Sequence, residues 1–308
     1  MKIEWLSIGW IIVNSNKMEK YVLAIGELLI DAISNKSVTS LSEAADFSIH
    51  AGGSPANFAR YLQKCNANAK IVATVGNDGF GNLLLDKLKK EGVCSEYVLQ
   101  QELYATSLIV VGRTKGTPDF IAYRNADCMI ETVDETLIAN ASLVHSTAFA
   151  LSKQPAQTAI LTAFEKASKE GIPVSVDWNY AEKIWGKHNN AQDVFNQLQT
   201  YKPLLKFSLD DMERFLGKSL SIEEAKEYLQ NVLCTAICLT CGGDGVYYKS
   251  SLSHWQYMPA QQVEVKDATG AGDAFWAGFV SEWNKENAID SCVAKGIHTA
   301  SLKLQGIL

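Results

Sequence analysis

A lone carboxylate, Asp273, closes the run Asp267-Ala-Thr-Gly-Ala-Gly-Asp273 (DATGAGD), and an apolar-periodic stretch follows through Ala274, Phe275, Ala277, Gly278, Phe279 and Trp283. Gly270 and Gly272, just before that stretch, mark a turn that enters a helix with one buried face. Small residues there let the backbone approach a ligand. The free N–H groups of the first turn and the helix dipole then make an anion site without a lysine. An acid beside an anion site is the informative feature. If it only capped the helix, Thr269 would serve as well. If a phosphoryl group is transferred there, the carboxylate can take the proton of the attacking hydroxyl. On these residues alone, cap and catalyst stand level.

Size and composition bound the alternatives. The chain has 308 residues, enough for one large α/β unit with a small appendage. It carries 28 basic against 34 acidic residues, a formal net charge of -6, and no basic stripe, so nucleic acid is not an expected partner. No apolar run approaches the length of a membrane span. Seven cysteines, an odd and scattered set, match a reducing compartment and a cytoplasmic location. Cys238 and Cys241 have C-x-x-C spacing, but they lie in a strand-like segment with no second pair, so packing is expected instead of zinc or redox chemistry. Residues 1–17 hold an apolar patch without a cleavage site, and Met18 begins an ordinary start; the first 17 residues are expected to be a non-native or flexible extension.

The elements that would position Asp273 follow in order. Tyr21–Ile25 reads as a buried parallel strand ending at Gly26, which puts Asp31 near a strand's carboxyl end, where open α/β sheets bind ligands; a surface turn is the plainer reading of the same residue. Segments 32–37 and 44–50, with 105–112 and 119–123, form a four-stranded flap joined by a hairpin connection at 113–118. Gly52 and Gly53 allow a tight turn, Pro55 suits a first helical position, and Asn57 falls in the first turn, where an amide can read a pair of sugar hydroxyls. Arg124 ends the flap and either reaches a ligand beneath it or is a solvated rim charge. From 141 onward, strands at 143–146, 174–177, 203–207 and 235–240 alternate with helices at 155–170, 190–199, 209–216 and 221–232, the pattern of a parallel sheet with helices on both faces. The glycine-rich turn after Thr240, with Gly242 and Gly245, can lay backbone against a nucleotide, although hairpin geometry explains it as well. His298 and Thr299 on the last helix are expected to face that turn.

Taken in order, GELLID (26–31), HAGGSPANFA (50–59), VGNDGFG (75–81), LTCGGDGV (239–246) and DATGAGDAF (267–275) resemble the ribokinase-like sugar kinases, also called the phosphofructokinase-B family. The resemblance spans residues 18–308. It implies a three-layer α/β fold with a small β lid at about 32–50 and 104–124, and ATP-dependent phosphorylation of a sugar hydroxyl. On that reading Asp273 is the base and Gly270, Ala271 and Gly272 form the anion hole. Asp31, Gly52, Gly53, Asn57 and Arg124 contact the sugar. Thr240, Gly242, Gly245, Thr269 and His298 contact the nucleotide. Mg2+ is implied, with K+ as a further candidate, and the lid is a candidate homodimer surface. Two departures stand out: Ala181 replaces an arginine that relatives use on sugar acids, and Ser208-Leu-Asp-Asp211 replaces an Asn-x-x-Glu element, leaving Asp211 to hold a magnesium-bound water. The first favours a neutral ketose such as fructose, with ribose, 2-keto-3-deoxygluconate or a nucleoside as alternatives. Together they raise a second class, a sugar-binding regulatory relative.

Overall fold

The computed structural model describes residues 20–114, 119–251 and 253–308. The expectation for residues 1–17 and most of the 113–118 connection lie outside that set. From the start the chain forms β1 (Tyr21–Ile25), β2 (Leu29–Ser37), β3 (Phe47–Gly52), α1 (Ser54–Lys64), β4 (Ala69–Gly76), α2 (Gly79–Lys90) and β5 (Val98–Gln101). It continues through β6 (Leu108–Arg113), β7 (Asp119–Tyr123), α3 (Glu135–Ala139), β8 (Ala141–Thr147), α4 (Ala156–Lys169), β9 (Val174–Asp177), α5 (Glu182–Trp185) and α6 (Ala191–Gln199). The last part holds β10 (Leu204–Ser208), α7 (Leu209–Leu216), α8 (Ile222–Gln230), β11 (Ala236–Thr240), β12 (Val246–Ser250), β13 (Gln256–Met258), α9 (Ala271–Trp283) and α10 (Ile289–Leu304).

Two sheets result. The large one runs β13-β12-β11-β10-β9-β8-β1-β4-β5, parallel from β5 to β11, with β12 and β13 antiparallel at one edge. The small one, β3-β2-β6-β7, is the lid. Its first strand begins at Leu29, earlier than the sequence pattern placed it, so Asp31 stands on the lid and not on β1. The pattern also missed β5, β13, α3 and α5, each five residues or shorter.

Strand β1 explains the layering. All five of its residues are buried, with Tyr21, Leu23 and Ile25 facing one core and Val22 and Ala24 the other. The first core is covered by α3 to α8, the second by α1, α2, α9 and α10. Helices α1 and α9 pack together, and Phe58, Ala59 and Leu62 of α1 are buried in the core they share. Each large apolar side chain so buried contributes about 1.5–3 kcal/mol, which anchors the two helix N-termini side by side. Strands β8, β9, β10 and β11 end at Thr147, Asp177, Ser208 and Thr240, and Glu27 lies two residues beyond the end of β1, so polar residues gather at the carboxyl edge of the parallel sheet.

Candidate active site

The N-terminus of α1 is shaped by its glycine pair. Gly53 has φ +98 and sits against the Glu27 carbonyl, while a side chain on Gly52 would collide with the Asp31 carboxylate. Neither position admits a Cβ, so the backbone turns sharply and starts α1 with Pro55 in its first turn. The Ser54 hydroxyl donates to Asp273 Oδ1 at 2.6 Å, and Asn57 Nδ2 donates to Asp273 Oδ2 at 2.9 Å. Asp31, Gly52, Gly53, Asn57 and Asp273 are therefore brought to one place. Burial first, then the neighbouring Asp273 charge, pushes the Asp31 carboxyl up to about 7.

Helix α9 opens with Gly270 in the left-handed region, φ 75, and no side chain caps it. Thr269 does not cap it either; its N–H donates to Asp267 Oδ1 at 3.0 Å. Within the proposed anion hole, Ala271 N–H is engaged by Ala268 O at 3.2 Å. The N–H groups of Gly272 and Asp273 have no partner among the described residues, so they are the first-turn donors left to meet an anion. Tyr61, one turn beyond Asn57 on α1, brings its hydroxyl to 3.2 Å from where a Gly270 Cβ would stand.

The sequence reading placed no lysine at this turn, and the structure brings one beside it. Lys206 is buried, its Nζ donates to both Asp177 oxygens at 2.8 and 2.9 Å, and it lies 3.1 Å from the place a Gly272 Cβ would occupy. Burial raises the Asp273 carboxyl, while Ser54, Asn57, Lys206 and Arg60 draw it back. Asp177 is likewise raised by burial against the pull of Lys206, and burial pushes Asp211 up to about 6. One ammonium thus serves three carboxylates.

Beside this cluster lies a cavity of about 380 Å³. Thr240, Gly242, Gly245, Ala271 and Gly272 line it, with an apolar wall that includes Val246, Val263, Ile297, Ala300 and Leu304. That is a size and character suited to a nucleobase and ribose. Thr269 is not part of the wall. His298 is not either: it is exposed, and α10 turns Ile297, Ala300, Ser301 and Leu304 inward instead. Thr299 packs against Gly278 of α9.

Two further expectations change. Arg124 is not free under the lid. Its Nε donates to Asp127 Oδ2 at 2.7 Å, its other nitrogens meet Asp127 and Ser152, and the guanidinium stacks 4.1 Å over Phe149. Asp211 caps α7, accepting from Ser208 N–H and Oγ on one oxygen and from Arg214 on the other, so both oxygens are engaged. No cluster of three or more metal-ligating side chains occurs among the described residues. Sequence reasoning missed Lys206, Ser54 and Glu27; a lysine inside the apolar strand LLKFS and a glutamate directly after a buried strand were the available signals.

Comparison with known proteins agrees with this architecture. The model of the pfkB family carbohydrate kinases matches residues 19–307. An ATP-dependent 6-phosphofructokinase of Thermoanaerobacterium thermosaccharolyticum is 33% identical over 290 residues, 93% of this chain and 89% of the relative. Fructokinase-1 of Zea mays is 31% identical over 259 residues, 82% and 80% of the two chains. The structure of Halothermothrix orenii fructokinase superposes with a TM-score of 0.78 at 30% identity, covering 90% of this chain and 98% of that one. With a family match over nearly its whole length and the same three-layer fold and lid, the chain belongs to the pfkB family of carbohydrate kinases.

Proposed function

We propose that the protein transfers the γ-phosphoryl group of ATP to a hydroxyl of a neutral ketose, forming fructose 6-phosphate from fructose. The observation that carries this reading is the carboxylate of Asp273, held by Ser54 and Asn57 at the open N-terminus of α9. Asp273 takes the proton of the acceptor hydroxyl as the new phosphorus–oxygen bond forms and the bond to the β-phosphate breaks. The Gly270–Gly272 turn, chiefly the N–H groups of Gly272 and Asp273, neutralises charge on the migrating group. Asp31, Gly53 and Asn57 orient the sugar, and the lid strand that carries Asp31 keeps water out. ATP occupies the cavity between the Thr240–Gly245 turn and α10.

Magnesium fits as an ion carried by the nucleotide phosphates and not as one held in a protein cage. Asp177, Asp211 and Asp273 share Lys206 with Arg60 and Arg214 at the margin, and Asp211, whose two oxygens already accept from Ser208 and Arg214, would help hold the ion only through a bound water. When bound, the ion shields the phosphate oxygens. Potassium is a further candidate activator. Ile49, Ile121 and Tyr123 lie exposed on the lid face opposite Asp31, which supports a homodimer through the lid. No helix among the described residues is long and apolar enough to cross a membrane, and the free cysteines favour a cytoplasmic location.

A second reading, fructose 6-phosphate as acceptor, is favoured by the 33% identical phosphofructokinase. Against it, among the described residues the cations that act on Asp31 and Asp273 are already committed, Arg60 to Glu91 and Lys206 to Asp177. A substrate phosphate would need an uncommitted one. ADP release measured with Mg2+ on fructose, fructose 6-phosphate, ribose, 2-keto-3-deoxygluconate and adenosine tests the proposal. It requires the highest kcat/KM on fructose; a preference for fructose 6-phosphate would select the second reading, and no turnover on any would point to a regulatory relative.

A further inference from the structure

We infer that Ser54 is the positioning residue of the base: its hydroxyl aims the Asp273 carboxylate at the acceptor alcohol, and the buried carboxyl of Glu27 fixes Ser54 in turn. This deepens the kinase reading and rests on Asp273 being the base.

The contacts form one chain from the core to the reacting group. Ser54 Oγ meets Asp273 Oδ1 at 2.6 Å, the length of a charge-assisted bond. Asn57 holds Oδ2, so two donors from one helix turn fix the plane of the carboxylate. Each oxygen keeps a second lone pair, which leaves room for a hydroxyl proton. Behind Ser54, its own main-chain N–H donates to Glu27 Oε1 at 3.0 Å, and Thr147 Oγ1 donates to Glu27 Oε2 at 3.1 Å. Ala150 N–H, from the loop after β8, donates to Thr147 Oγ1 at 3.1 Å and closes the chain.

Glu27 explains why this arrangement is more than packing. It is buried and has no ion-pair partner among the described residues, a placement that is unfavourable unless its hydrogen bonds hold something in place. What it holds is the first residue of α1. Gly53, pressed on the Glu27 carbonyl, prevents the corner from sliding. The charged and titratable groups facing Asp273 are Asp31 of β2, Arg60 and Tyr61 of α1, Asp177 of β9 and Lys206 of β10. Among its neighbours, Ser54 is the leading one that holds the Asp273 carboxyl down against burial.

The test uses Ser54→Ala and Ser54→Thr, each in the intact chain and with Asp273→Ala. Alanine keeps the N–H that Glu27 accepts, so the corner survives. Ser54→Ala is expected to lower kcat about tenfold at neutral pH and to move the acid limb of its pH profile up by about one unit. Fructose KM should change by less than about twofold, because the lost bond acts on the base. Ser54→Thr restores the profile. With Asp273→Ala, the second substitution should add nothing. A raised KM with unchanged kcat and limb would make Ser54 a sugar contact and overturn the inference, as would full additivity with Asp273→Ala. Wild-type turnover in Asp273→Ala alone would instead overturn the base assignment beneath it.

Discussion

Replacing Lys206 by methionine removes the ammonium that lies among Asp177, Asp211 and Asp273 while keeping a side chain of similar length. Lys206 and Asp177 are register partners on neighbouring strands, both buried, joined by bonds of 2.8 and 2.9 Å. Removing one member of a buried pair leaves an uncompensated charge and costs about 3–5 kcal/mol. In a chain of this size each kcal/mol shifts the melting temperature by about 1.5 °C, so Lys206→Met should melt roughly 5–8 °C lower. Asp177, Asp211 and Asp273 lose the cation that draws their carboxyls down, so the acid limb of turnover should also move up. The double variant Lys206→Met/Asp177→Asn separates the two effects, because a neutral buried pair of similar shape is tolerated. Melting temperature should recover most of its loss and turnover should not. Thermal unfolding and ADP release across pH read both. A single variant that melts within about 2 °C of the parent, or a double variant that regains turnover along with stability, would refute this electrostatic reasoning.

Glu27 gives a pH test with a definite sign. Burial raises its carboxyl from 4.5 to about 8, so over that window the folded chain holds a proton that the unfolded chain has lost. Stability contributed by this group is full below about pH 4.5 and falls as pH rises toward 8. Glu27→Gln should flatten the decline by about 1.4 kcal/mol per pH unit in urea unfolding between pH 5 and 8; an unchanged slope would show that the group titrates normally. His298→Ala should leave the KM for ATP and kcat within about twofold, since the ring lies outside the cavity proposed for ATP; a tenfold rise in the KM for ATP would return it to the site.

Much of the fold was legible because it is written locally. The all-apolar β1 strand, the repeated strand and helix periods after residue 141, and the glycine turns at 52–53 and 270–272 follow from period and backbone freedom. Those turns also placed Asn57 and Asp273. What escaped depends on contacts far apart in sequence or on helix phase. Lys206 reads as an interruption of a strand until Asp177, its cross-strand partner, is known. Arg124 looks free until Asp127 and Ser152 fold against it. His298 is one residue out of phase: the wall uses positions 297, 300, 301 and 304, a single face of α10. Ser54 sits between the Gly52–Gly53 pair and Asn57 with no partner nearby in sequence, and only the approach of α1 to α9 gives its hydroxyl one.

The most direct test of the central claim is Asp273→Ala, measured for turnover of ATP and fructose and for fructose binding by calorimetry. The account predicts turnover lower by about 10²–10⁴ with the sugar dissociation constant changed only a few-fold. Turnover within about threefold of the parent chain would contradict it, because a bystander carboxylate at the mouth of α9 can be lost without consequence and a base cannot.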